Sequence, residues 1–305
     1  MANILLRTPY FIYETSTSSA EYATLELSID GSLRYTLTKD VDSSYGVLFE
    51  ISELARDYID IAFSGTYTSQ VVSITGDIKF YNSSDVQVGS PFPISHKGFD
   101  GYGEFMEGAS PTITSGSLLQ SNTIVYVPEN TAGRIAEESA GAINYDSFGT
   151  TSTNVVTGGQ QITIVRICEP KYTPIKMTFV NKFGALQDIW FFKKSVENLN
   201  VTKENYKRSL VSTTGTYDIN THTKRTLNTK ATTSLSLNTG FVSENLNSAF
   251  KEMLLSEQVW ATIGSDVIPV DITTNQLTYK TSVNDRLINY TINIEYAFNV
   301  INDLR

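Results

Sequence analysis

The 305-residue chain offers few side chains able to do covalent or metal chemistry. Cys168 is its only cysteine, and His96 and His222 are its only histidines. One cysteine excludes an internal disulfide. Set between Ile167 and Glu169, it reads as a small core side chain rather than a nucleophile. Two histidines are too few for a usual zinc site, and no carboxylate spacing completes one. His222, in NTHTKR, is expected at the surface of an exposed strand. No GxxxxGKS, HExxH, GxSxG or CxxC occurs. The glycine cluster Gly98-Phe99-Asp100-Gly101-Tyr102-Gly103 is read without the preceding strand and following helix that a nucleotide cradle needs, hence as a mobile surface loop. Acidic residues are plentiful, but nothing selects a pair with the fixed separation that glycoside hydrolysis requires. No catalytic residue, metal site or cofactor is therefore expected.

Binding chemistry is the stronger prospect. Residues 181–199 read NKFGALQDIWFFKKSVENL, with aromatic rings beside lysines. Such a run could stack bases or sugars, or it could be a buried strand meeting a charged edge. Asn181 and Gly184 suit a tight turn, because both tolerate positive φ. Ile189, Trp190, Phe191 and Phe192 are consecutive, so strand alternation puts two on each face. Burial on both sides is expected, with Lys193 and Lys194 where the strand leaves cover. The second face would be covered by the first half of the chain or by a neighbouring subunit.

Lys203, Lys207, Arg208, Lys224, Arg225 and Lys230 form a basic cluster. Residues 171–305 nevertheless hold only 15 Lys+Arg against 12 Asp+Glu, whereas residues 1–170 hold 8 against 20. A net of +3 is too little for a nucleic-acid face, so direct sequence-specific nucleic-acid binding is not expected. A solvated sheet face or a subunit contact fits better. The asymmetry predicts two modules and allows the acidic half to face the basic half of another copy.

The elements that would position these residues are mostly strands. Ser, Thr, Tyr, Phe, Val and Ile abound, and the 40% hydrophobic content supports real cores. YATLELS (22–28) and LRYTLTK (33–39) flank Asp30-Gly31, a hairpin signature. Ser52 is placed to cap a short helix to Tyr58, and Val71–Ile74 and Ile78–Tyr81 read as a strand pair around Thr75-Gly76-Asp77. Residues 89–118 and 129–160 are rich in Gly, Ser, Thr and Pro and read as long loops, with a turn of helix at Ala132–Ala140.

Two prolines, Pro170 and Pro174, predict a boundary, giving domains at 1–170 and 171–305. In the second, strands are predicted at Lys176–Val180, Leu186–Phe192, Val201–Tyr206, Leu210–Tyr217 and 225–239. A helix capped by Ser243 follows to Leu255, then strands at Val259–Ile263, Ile268–Ile272 and Leu277–Thr281. INYTINIEYAF (288–298) alternates strictly and reads as one long strand with one buried face. The fold class is mainly β: two β-sandwich-like antiparallel domains with helices at about 52–58 and 243–255. No secretory signal or membrane span is expected, since no window approaches 18 apolar residues.

The run FVNKFGALQDIWFFKKSVENLNVTKENYKR resembles a segment of structural proteins of tailed bacteriophages. In that pattern a strand ends in an Asn-basic-aromatic-Gly turn, followed by an aromatic strand, a Ser, and a Tyr with basic neighbours. Asn181, Lys182, Phe183, Gly184, Phe191, Ser195 and Tyr206 fit it. LLSEQVW (254–260), IPVDI (268–272), the YKT at 279–281 and the closing alternation continue the likeness, while LLRTPYFIY and FEISELARDYID are compatible with it. Trp190 departs from the smaller or polar residue of that pattern, and residues 89–160 match no part of it. The resemblance implies a component of the virion's tail, neck or collar, assembled in the cytoplasm of an infected bacterium. Such proteins have no active site and act as rings, binding copies of themselves and neighbouring tail or neck proteins. On that reading Phe99, Tyr102 and Phe105 in the first long loop, with Trp190 and Phe192, are the expected interface residues. The alternative is a β-sandwich module that binds host-surface glycans through the same loop aromatics.

Overall fold

The computed structural model describes residues 2–16, 19–211, 213–216, 219–278 and 287–300. It is mainly β, as expected. The first part comprises β1 (Ala2–Leu5), β2 (Phe11–Thr15), β3 (Tyr22–Ile29), β4 (Ser32–Asp40), β5 (Gly46–Glu50), α1 (Ser52–Arg56), β6 (Val71–Tyr81), β7 (Gln87–Phe99) and β8 (Thr112–Ile113). Six of these strands form one sheet in the order β4-β3-β6-β7-β1-β8, and β2 pairs with β5 apart from it. The β3–β4 hairpin turns on Asp30 and Gly31, at φ 50° and 78°, as a two-residue turn requires. Leu25, Leu27 and Ile29 of β3 and Ile74, Ile78 and Phe80 of β6 share a core. Ile12, Val47, Phe49 and Ala55, from β2, β5 and α1, pack into it.

Three expectations need correction here. Thr75-Gly76-Asp77 is no turn, because β6 runs through it. Gly76 is needed for close approach, since a Cβ there would lie 2.4 Å from the Glu26 carbonyl oxygen. Ser52 opens α1 without capping it, and its hydroxyl bonds the Glu50 carboxylate instead. Residues 87–99 are a strand rather than a loop. Pro93 sits where β7 pairs with β6 and Pro91 in the irregular stretch of that ladder, both ahead of the stretch from His96 that also pairs with β1. An open edge tolerates a missing N–H.

The second predicted loop is also structured. It holds β10 (Gly133–Ser139), β11 (Ala142–Phe148) and β12 (Asn154–Thr157), and the strands β9 (Ile124–Pro128) and β13 (Gln160–Ile167) flank it. The predicted turn of helix is strand β10, paired with β11 around Ala140 and Gly141 at φ 51° and 78°. Ala and Glu in GRIAEESA suggest helix, but propensity is weak against pairing and burial. Gly158 and Gly159 make the same kind of turn between β12 and β13.

The remaining elements are β14 (Ile175–Val180), β15 (Leu186–Phe191), β16 (Val196–Lys207), β17 (Lys224–Asn238), β18 (Val242–Ser243), a 3-10 turn at Glu244–Leu246, α2 (Asn247–Leu255), β19 (Val259–Ile263), β20 (Asp266–Ile272), β21 (Leu287–Ile288) and β22 (Thr291–Tyr296). Seven form a sheet in the order β15-β14-β19-β20-β22-β17-β16. The Ser243 hydroxyl accepts from the Asn245 amide, as predicted, and Leu246, Phe250 and Met253 bury the helix against Met177, Phe179, Phe191 and Ile292. The predicted long closing strand is interrupted. Ile288 pairs with Val242 in β21, Asn289 and Tyr290 break the ladder, and β22 lies between β20 and β17. Ile288, Tyr290, Ile292 and Ile294 are buried as the alternation requires, whereas Phe298 is half-exposed. Leu210, Thr213–Thr216 and Leu277–Thr278 lie outside the named strands, and the rest of the strand predicted at Leu277–Thr281 falls outside the described residues. Among the described residues no helix is long and apolar enough to cross a membrane.

Candidate functional site

The five residues expected at an interface have different environments. Phe99 and Phe192 are buried within the chain and cannot anchor a contact between copies. Phe99 ends β7 among Leu5, Leu119, Ala136, Ile143 and Ala185. Trp190 is half-buried and packs on the core of Val127, Ile135, Phe148, Ile162 and Ile164. The second face of its strand is thus covered by the first half of the same chain. Tyr102 is half-buried, and its amide donates to the Lys182 carbonyl at 2.8 Å. Phe105 alone is fully out, at 97% exposure, with the Lys251 ammonium 6.0 Å from its ring centre.

What the aromatic stretch builds is a seam between the two halves. The buried Asn181 amide donates to the Leu119 carbonyl at 2.6 Å and to Gln187 at 3.0 Å. Its oxygen accepts from the Phe183 and Ala185 amides, closing the turn. Gly184, at φ 80°, touches Asp100, and a Cβ there would lie 2.7 Å from the Asp100 nitrogen. Asp100 is clamped by Arg7 at 2.6 Å and Arg56 at 3.2 Å, and Arg56 reaches Glu257 at 2.7 Å. Burial would raise the Asp100 carboxyl, but the two guanidiniums outweigh it and hold it below its usual range. The glycine cluster does follow a strand, and Gly98 to Gly101 are buried rather than a surface loop. Its carboxylate faces cations, which is no phosphate cradle.

A cleft of about 320 Å³ opens on this seam between Tyr67, Arg134, Ser147, Lys176, Asp188, Trp190 and Thr262. Tyr67 donates to Asp188 at 2.5 Å, Thr178 donates to the other Asp188 oxygen at 2.7 Å, and Lys176 donates to the Tyr67 oxygen at 3.0 Å. Burial first, then the Asp188 charge, pushes the Tyr67 hydroxyl far up, so it keeps its proton. The carboxylate is occupied on both oxygens, so the cluster acts as a polar clamp across the seam. Cys168 is exposed rather than a core side chain. A hydrogen bond to Glu129 and that carboxylate's charge raise its thiol. His222 is exposed, but in the loop before β17. Among the described residues no three metal-binding side chains gather.

Two surfaces carry unspent apolar and charged groups. The first is β16, the edge of the seven-stranded sheet, all 12 of whose residues are exposed. Leu199 and Val201 lie opposite Thr233 and Ala231, which are buried and continue the face holding Leu235. The core face therefore runs out onto β16 with nothing over it among the described residues. Val196, Leu199, Val201 and Tyr206 are 45–60% exposed. The strand and its neighbour carry five of the six predicted cations, with Arg208 directly after β16, against two carboxylates, Glu197 and Glu204.

The second surface is the outer face of β2 and β5. Phe11, Tyr13, Tyr45 and Leu48 are 44–52% exposed there, beside Asp42, while the half-buried Glu14 turns to the Ile12 face of β2. The Gly46 and Ser44 amides bond the Asp42 carboxylate and lower its pKa. The alternation in FIYET and GVLFE carries this second surface. Compared with known proteins, the chain matches no family model, no curated protein and no solved structure.

Proposed function

We propose that this chain is a non-enzymatic structural protein that works by assembling with copies of itself, in a ring of the tail, neck or collar of a tailed phage. The phage setting rests on the sequence resemblance alone. One observation carries the assembly: β16 is a long edge strand with an open hydrogen-bonding side and an apolar row that its own core leaves bare. A free edge of that length invites pairing with another chain, and isolated two-strand ribbons are marginal in water. An obligate ring contact would bury more than about 2,000 Å² in total.

The register gives a clean test. Glu197 and Leu235 are directly opposite. Replacing residues 198–234 by Asn-Gly therefore removes Leu199, Val201 and most of the open edge while keeping the pairing of β17 with β22 from Leu235 onward. Mass photometry of the full chain is expected to show multiples of six or twelve copies, and the shortened chain a folded monomer. Unchanged assembly of the shortened chain would count against the proposal. Glycan binding, the rival reading, draws on the cleft at Trp190. It predicts that Trp190→Ala abolishes signal on a glycan array, which the assembly reading expects to be blank.

A further inference from the structure

The second surface has the chemistry to receive the first. We infer that β16 of one copy docks along β2 of another, in the groove between β2 and β7. This deepens the assembly reading and rests on it.

The groove is open on two strand edges at once. β2 pairs only with β5 among the described residues, so every second residue of β2 turns its N–H and C=O away from that partner. Across the groove, Pro93, Ile94 and Ser95 of β7 pair with β6 and precede the stretch that joins β1. The space between holds about 570 Å³ and is lined by Tyr10 to Glu14 and Pro93 to His96. His96 Nδ1 lies buried there without a hydrogen-bond partner. Five residues of β2 offer roughly 17 Å of edge, which less than half of β16 would fill.

Side chains agree with that backbone geometry. β2 turns Ile12 and the half-buried Glu14 to one face and Phe11, Tyr13 and Thr15 to the other, with Asp42 at the Tyr13 hydroxyl, so the strand is apolar and acidic. β16 turns Leu199, Val201 and Lys203 to one face and Thr202 to the other, so Leu199 and Val201 can continue the Ile12 face, Lys203 can meet Glu14, and Thr202 falls on the side of Thr15. Added strands gain affinity from main-chain bonds and specificity from alternate side chains. Opposite charges fix the partner, since like charges across the same contact are penalised. The two surfaces are different patches of one chain. Each copy therefore offers a donor strand to the next and receives one from the last, which closes a ring when the rotation allows.

Cross-linking tests the contact without disturbing the cores. In a Cys168→Ser background, Thr202→Cys and Thr15→Cys chains are made separately, then mixed and oxidised. A disulfide-linked pair is expected from the mixture, at least 10-fold above a Thr202→Cys and Ser84→Cys control, whose second thiol sits at the β6–β7 turn. Glu14→Lys is expected to weaken assembly about 10-fold, and Lys203→Glu on the partner copy to restore it. If assemblies form but the Thr202–Thr15 pair cross-links no better than the control, the docking site is wrong while the assembly reading stands. If the chain is monomeric at every concentration tried, both fail.

Discussion

Two hairpins of one sheet, β14–β15 and β16–β17, are separated by four residues and have opposite fates. Both are built from β-formers with lysines nearby. β15 is sandwiched: Ile189 and Phe191 enter the sheet's own core, while Trp190 meets the β9–β13 core behind it. β16 has a core on neither face and exposes every residue. The lesson is that strand formation and burial are separate decisions. Pairing with one neighbour is enough to make β16 a strand, but covering Leu199 and Val201 requires another body.

The sharpest way to break this contrast is to delete from each hairpin in turn. Phe191→Ala removes a fully buried ring facing Phe250 and is expected to cost about 3–5 kcal/mol, read by urea denaturation. Asp100→Asn attacks the seam behind the first hairpin, leaving the largely buried Arg7 with only the exposed Glu257 at 3.4 Å as counter-charge, and should cost about 3 kcal/mol. The same pair has a pH signature. The Asp100 carboxyl is depressed in the folded chain, so its contribution is complete above the unfolded carboxyl range. It is lost as pH falls through the lower folded value. Acid unfolding of Asp100→Asn should therefore lack that part of the slope.

Gly184→Ala is the next effect, at about 2 kcal/mol, because it combines a left-handed backbone with a Cβ pressed on Asp100. Glu252 gives a smaller change of opposite sign with pH. Burial raises its carboxyl, so the folded chain loses stability as pH climbs from the unfolded value through the folded one. Glu252→Gln should flatten that slope in calorimetry. Leu199→Ser, on the second hairpin, should shift monomer stability by less than about 0.5 kcal/mol while reducing assembly. A stability loss from Leu199→Ser as large as that from Phe191→Ala would erase the distinction between the hairpins.

The sequence was most legible where one face is buried and a turn residue is obligatory. Asp30-Gly31 and Asn181–Gly184 were found this way, and so was the helix face of Leu246, Phe250 and Met253. It was least legible where chemistry at one residue depends on a distant strand. Gly76 looks like a turn until the Glu26 carbonyl is seen against it. Pro93 looks like a loop until β7 is seen to have an open side there. Burial of Phe99 depends on Leu119 and Ala185, which no local pattern announces. The candidate surfaces were half visible: the cations of β16 and β17 were noted, but the aromatics of β2 receive them only through the tertiary fold.

The density of lysine and arginine on β16 and β17 also bears on storage and purification. Two such edges meeting each other would oppose cation to cation, so repulsion keeps unassembled chains from laddering arm to arm. Screening weakens that guard, as the Debye length falls from about 8 Å at physiological salt to about 3 Å at 1 M. Concentrated salt would then favour fibrous, self-templating aggregates over closed particles. Dilute buffer would be the condition in which monomers wait for the right neighbour.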